Sequence, residues 1–280
     1  MQLGTILLIL TIITGLVIIL VSPFMKKISK NYYLWLFLGL FVFLYVFFGR
    51  QIQYLMPTYT NVISSESLML SRLLLLDLCP FYAIFGSLSL LLKNKTTAKI
   101  MAPFGLFGAM VTIFGQIIHE ANDVLINNYW NYIFVGINPN QLYFMMHYLS
   151  FALSLMIICW MRNWNIKILG YMHIFALAYF GYVLIIVSVC PQITSNTTGI
   201  LENDWINGGE YVGVGIFLGI STYPLVMFVG YLLSYISIVL IYFIRFLIEK
   251  VFIKLNKKYD FVVIKNKFLS KFKIKNISNS

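Results

Sequence analysis

The chain has 280 residues, of which 60% are hydrophobic and only 10% charged, and its mean hydropathy is +0.87. So little charge cannot cover a water-soluble domain of this length, which excludes soluble enzymes and leaves a polytopic membrane protein. The formal net charge of +11 argues for an anionic partner, but no base-stacking motif accompanies the lysines, so nucleic acid is not that partner.

The first apolar run, 3–22, has no basic residues before it and no small-residue cleavage site after it. It reads as a retained helix rather than a signal peptide. Further runs long enough to cross a hydrocarbon core of about 30 Å cover 32–49, 69–92, 100–118, 141–161, 168–189 and 212–247. The last is long for one helix, and Gly213, Gly215, Gly219 and Pro224 are placed to break its start. The expected fold is therefore all-α, a seven-helix transmembrane domain over 1–247 followed by a basic tail over 248–280. Three cysteines, Cys79, Cys159 and Cys190, do not make a disulfide framework. The wealth of Lys, Asn, Ile and Phe is that of an AT-rich bacterial genome.

Loop charges alternate along the chain. Lys26, Lys27 and Lys30 follow the first span, Lys93, Lys95 and Lys99 follow the third, and Arg162 and Lys167 follow the fifth. The other side carries Glu66, Glu120, Asp123, Glu202, Asp204 and Glu210, with Arg50 as the positive charge. The positive-inside rule then puts the N-terminus outside and the tail in the cytoplasm of a bacterial cell membrane. The tail, which alternates lysines with Phe, Ile and Val, suits either the anionic inner leaflet or plain solvation.

The third span holds residues that lipid disfavours: Arg72, Asp77, Cys79 and Pro80. If the span is one helix, Arg72 and Cys79 share a face, being seven residues apart, and Arg72 reaches the outer headgroups. Pro80 then leaves the Leu76 carbonyl without its helical partner. The fifth span runs the same way, and His147, seven residues past Asn140, falls at about the depth of Cys79. A thiol becomes a nucleophile when a neighbouring base removes its proton, so Arg72, Cys79 and His147 form a candidate charge–nucleophile–base set. The bland alternative is a cysteine that fills space, a histidine that bonds a neighbour, and an Arg–Asp pair within the membrane.

The run Leu73-Leu74-Leu75-Leu76-Asp77-Leu78-Cys79, the segment Gly105-Leu106-Phe107-Gly108-Ala109 and the segment Tyr143-Phe144-Met145-Met146-His147 resemble the third, fourth and fifth helices of the YwaF-type bacterial integral membrane proteins. The resemblance departs from that pattern in one place: the family's proline in the leucine-rich run is missing, with Leu75 nearest its position. That family is related to animal multipass acyltransferases acting on ether phospholipids, in which a cysteine and a histidine are the proposed catalytic pair. The resemblance implies Cys79 and His147 as that pair, with Arg72 on a lipid phosphate. The donor is then a phospholipid and the acceptor a lysophospholipid, a glycolipid or an exported lipoprotein, and neither cofactor nor metal is expected.

The other expectation is a carrier, in which the same polar residues, Asp77 included, bind a solute without covalent chemistry. His119, at the outer end of the fourth span, is a candidate auxiliary base. With Glu120, Asp123, Glu202, Asp204 and Glu210 it also marks a weak metal-site pattern that lacks HExxH spacing. His173 lies toward the inner leaflet and is expected to make a structural hydrogen bond. The segment 192–210 reads as a lid or a connection.

Overall fold

The computed structural model describes residues 3–55, 66–123, 129–134, 143–194, 198–205, 215–216 and 218–258. No strand occurs among them. The helices are α1 (Leu3–Ile28), α2 (Tyr32–Val46), α3 (Glu66–Leu73), α4 (Leu78–Leu91), α5 (Lys95–Asp123), α6 (Tyr129–Phe134), α7 (Tyr143–Trp160), α8 (Ile166–Val189) and α9 (Leu225–Lys258). A π-helical turn (Phe47–Gln51) and a 3-10 turn (Ile52–Leu55) extend α2.

Among the described residues, six segments are long and apolar enough to cross a membrane: Leu3–Ser22, Tyr32–Gln51, Met69–Leu91, Lys95–Ile117, Ile166–Val189 and Leu225–Lys250. A seventh, Phe144–Trp160, is apolar but shorter. Sidedness follows the pattern of a bundle in lipid, with apolar residues outward and polar residues inward. Ile12, Ile13, Leu16, Val17 and Leu20 of α1 and Leu177 of α8 are exposed, whereas Gln116, His147, Ser150 and Ser154 are buried. In water such an apolar exterior would drive aggregation.

Helix α5 is the central element, packed against α1, α4, α7, α8 and α9. Its sequence explains why. Ala98, Ala102, Gly105 and Ala109 recur at spacings of four, three and four, so one buried face carries almost no side chain. Neighbouring helices come close there. A Cβ on Gly105 would lie 2.4 Å from the Tyr82 ring, and one on Gly108 would lie 2.9 Å from the Cys79 sulfur. Helix α2 covers α4 from outside, with Gly39 against the Ser87 carbonyl.

Two expectations about helix continuity are corrected. The third span is not one helix, because α3 ends at Leu73 and α4 begins at Leu78. The last span is shorter than 212–247 at its start: Gly219 has a φ of +67°, Pro224 follows, and α9 begins at Leu225. Gly219 and Pro224 are two of the residues read as breakers of that span. Helix α9 then continues through residue 247 to Lys258.

The loop between α7 and α8 is clamped from α9 and α5. Arg245 donates to the carbonyls of Ile158 (2.5 Å) and Met161 (2.9 Å), and pairs with Glu249 at 3.3 Å. Glu249 in turn accepts the amides of Asn163 (2.8 Å) and Trp164 (3.1 Å). The Lys99 ammonium donates to the Asn163 carbonyl (3.1 Å). These bonds hold Asn163 at a φ of +64°.

Candidate functional site

The site is built on the break between α3 and α4. Helix α3 ends in a Schellman turn: the Leu76 amide bonds the Ser71 carbonyl (3.0 Å) and the Leu75 amide bonds that of Arg72 (3.3 Å). Leu75 occupies the left-handed position, with a φ of +54°. Proline cannot take that φ, so the proline of the YwaF-type pattern would not fit at this residue.

Non-helical backbone within an apolar span must find its hydrogen bonds inside the protein. Here side chains from two other elements supply them. Gln51 Nε2 donates to the carbonyls of Arg72 (3.2 Å) and Leu73 (2.8 Å). The hydroxyls of Tyr182 and Tyr179, both on α8, donate to the carbonyls of Leu74 and Leu76. Asp77 then stands at the N-cap of α4 with extended backbone, and its carbonyl receives the Phe81 amide (3.1 Å).

This geometry revises the counting along the third span. Arg72 closes α3 and Cys79 opens α4, so seven residues no longer place them on one helical face. Pro80 lies in the first turn of α4, where a helix leaves its amides unpaired anyway, so it costs no helical bond. Asp77 pairs with Arg50, Nη2 to Oδ2 at 3.8 Å, with both side chains largely buried. Arg50 also bonds the Gln51 side chain (3.3 Å) and stacks over Tyr54, 5.3 Å from its centroid.

Cys79 is buried in the first turn of α4. Its sulfur faces Gly108 and lies near the Thr112 side chain, both on α5, and Thr112 donates to the Gly108 carbonyl (3.0 Å). His147 is buried on α7. Residues 147, 150 and 154 recur at helical spacing, so His147, Ser150 and Ser154 form one buried polar strip. Tyr82, one turn along α4 from Cys79, lies against Gly105 of α5 and beside Ser154 of α7.

That contact gives a common level from which depth can be counted along all three helices. At 1.5 Å per residue, Cys79 lies about 4–5 Å from it toward the N-terminal end of α4, Ser150 about 6 Å the same way, and His147 and Thr112 each about 10 Å. Ser150 is thus nearest the thiol's level, while His147 is level with Thr112. Farther out, Gln116 Nε2 donates to the Tyr132 hydroxyl at 3.3 Å.

The remaining sequence candidates separate from this centre. The side chains of His119, Glu120, Asp123 and Glu210 lie outside the described residues, as does 259–280 of the basic tail. Asp204 is buried and accepts the Leu201 amide (3.2 Å), capping a short 3-10 turn rather than facing an open mouth. His173 pairs through Nδ1 with the Tyr235 hydroxyl, the structural bond expected of it.

Sequence reasoning missed Arg50, Thr112, Ser150, Ser154 and Tyr82. Only the 147–150–154 spacing carried a signal for any of them.

A family profile matches residues 9–278. The chain belongs to DUF5378, a family of unknown function. It is similar to uncharacterized protein MG135 of Mycoplasma genitalium, 46% identical over 252 residues that cover 86% of this chain and 88% of that protein. It is also similar to the MG135 homolog of Mycoplasma pneumoniae, 40% identical over 249 residues covering 83% and 85% of the two chains. No solved structure matches. The DUF5378 description and these two names state no activity, so a function for this DUF5378 chain is argued from its own residues.

Proposed function

We propose that this DUF5378 protein is a multipass membrane acyltransferase with Cys79 as nucleophile and His147 as base. The observation that carries the reading is the built break at 74–77, which starts α4 inside an apolar span and sets Cys79 in its first turn. A thiol held in dry, apolar surroundings is inert, so the reading requires a base, and the neutral polar strip on α7 supplies one. The proton leaves the Cys79 sulfur for the His147 imidazole, with the Thr112 hydroxyl, which lies near the thiol, as relay. The thiolate attacks the ester carbonyl of a phospholipid, a C–S bond forms and the ester C–O bond breaks. The lyso product takes the proton back from the imidazolium. The first-turn amides of α4 face the charge that develops on the carbonyl oxygen. A lysolipid hydroxyl or the amine of an exported lipoprotein then removes the acyl group.

The same proposal includes the finer topology: seven spans, with α7 as the short one, an outside N-terminus and a bacterial cell membrane. Helix α7 runs parallel to α1, as the pairs Thr14–Tyr148, Ser22–Cys159 and Ser29–Trp160 require. Lys93, Lys99, Arg162 and Lys167 gather beyond one end of the bundle and give it the basic side that cytoplasmic loops carry. The tail beyond the bundle meets the anionic inner leaflet on that side. In this reading His119 and Arg72 serve the outer mouth, Arg72 toward a lipid phosphate.

The second reading is a carrier, and the broken third span favours it too, since carriers bind solutes at broken helices. Kinetics separates the two. Groups that act as one unit lose activity non-additively. Cys79→Ala is expected to abolish acyl transfer, and adding His147→Ala to make it hardly worse. Cys79→Ser that keeps full function would decide for the carrier.

A further inference from the structure

The interior between α4, α5 and α7 contains hydroxyls that bond nothing in the protein. Tyr82, Ser150 and Ser154 are each fully buried, and Tyr82 Oη, Ser150 Oγ and Ser154 Oγ have no hydrogen-bond partner. Tyr82 and Ser154 are neighbours, yet neither hydroxyl completes a hydrogen bond. One turn of α7 separates Ser150 from Ser154, and Tyr82 is held against α5 by the space at Gly105. Two helices, α4 and α7, thus contribute to one small polar patch against α5. Gln116 Oε1, farther out on α5, is likewise buried and unpartnered.

A buried hydroxyl without a partner costs about 1–3 kcal/mol, and a lipid exterior offers it no water. Three such groups at one place are hard to reconcile with a dry core. Serines on a membrane helix more usually bond their own carbonyls, as Ser87 does to Ala83 and Ser89 to Gly86 in this bundle. Ser150 and Ser154 do not. The lining carries no formal charge, because Arg50 and Asp77 pair with each other toward the α3–α4 break.

We propose that Tyr82, Ser150 and Ser154 hold a neutral oxygen-bearing guest, a hydroxyl or an ester oxygen, in the bundle interior beneath Cys79. The guest accepts from the Tyr82 phenol and exchanges hydrogen bonds with the two serines. A carboxylate or ammonium is disfavoured there, since no described charge neutralises it. Water and the glycerol-ester region of a lipid share this chemistry. The proposal deepens the acyl-transfer reading by assigning the site a neutral ester or hydroxyl substrate, but its test needs no catalysis.

The test is the stability of Ser150→Ala, Ser154→Ala and Tyr82→Phe. In a dry core each removes an unpaired polar atom and raises the melting temperature. With a guest bound, each removes a bond and lowers it by about 2–4 °C. The proteins are melted in delipidated detergent and in phosphatidylglycerol liposomes. A loss in both identifies water, and a loss in liposomes alone identifies a lipid ester. Unchanged or raised melting in both media overturns the proposal.

A second measurement covers variants that fail to fold. Ser154→Cys, close in size to the native residue, is exposed to methyl methanethiosulfonate, which is small and neutral. It should react about tenfold faster than Ile157→Cys, a fully buried apolar position on the same helix. Equal rates overturn the proposal. Acyl transfer can fail while both results hold, and the reverse is equally observable.

Discussion

At Gly105 the absence of a side chain sets where Tyr82 stands. An alanine Cβ there meets the ring at 2.4 Å, and the ring is fully buried, so either it or a helix must move. Gly105→Ala is expected to cost about 1–3 kcal/mol, in the range of overpacked cores. Tyr82→Leu should relieve it, so the double variant melts higher than the sum of the two losses predicts. Strict additivity would mean that the ring does not fill this space. Single residues were legible where spacing carries meaning. His147 stood out because histidine is rare in an apolar run. Ser150 and Ser154 did not, since serine in a membrane helix ordinarily bonds its own backbone. Arg50 was read as a loop charge because its partner, Asp77, is 27 positions along the chain and nothing local announces the pair.

At the scale of elements the break between α3 and α4 is the feature that positions the site. It was invisible in a continuous leucine run, because the left-handed turn residue that ends α3 is Leu75 rather than glycine. Its stabilising donors, Gln51, Tyr179 and Tyr182, come from α2's extension and α8, and tertiary donors leave no local trace in sequence. The start of α9 was legible, since glycine and proline mark it directly. Leu75→Gly should stabilise the fold by up to about 1 kcal/mol by removing the left-handed penalty. Gln51→Ala should destabilise it by about 1–3 kcal/mol, because two carbonyls lose their donor. Thermal unfolding reads both, and a Leu75→Gly variant that melts lower would argue against the turn. The Arg50–Asp77 pair is tested as a pair. Arg50→Leu alone leaves a buried carboxylate and is expected to be severe, about 3–5 kcal/mol, while Arg50→Leu with Asp77→Leu should recover much of that loss. A double variant as unstable as the single one would show that the charges serve something beyond each other.

At the scale of the whole molecule, the described helices form a bundle with an apolar exterior and a largely apolar core, in which a few polar side chains are buried beside α5. Composition pointed to a membrane protein, and run lengths located the helices, because crossing lipid would impose a minimum length that shows in the sequence. Composition could not show that α5 is central, since its small-residue face is spread over twelve positions of an otherwise ordinary apolar run. The clamp on the α7–α8 loop holds one end of this arrangement. Glu249→Ala removes the acceptor of two loop amides and the partner of Arg245, and should lower the melting temperature by several degrees, about 2–4 °C for each kcal/mol lost. A variant that melts like the native protein would leave the loop held by Lys99 and Arg245 alone. The central claim is that Cys79, set by the α3–α4 break, carries an acyl group. Mass spectrometry of the purified protein after incubation with a phospholipid donor tests it most directly. The account predicts a hydroxylamine-sensitive acyl adduct on the peptide containing Cys79, absent from Cys79→Ala and greatly slowed in His147→Ala. Acyl transfer that continues undiminished in a folded Cys79→Ala protein would contradict it.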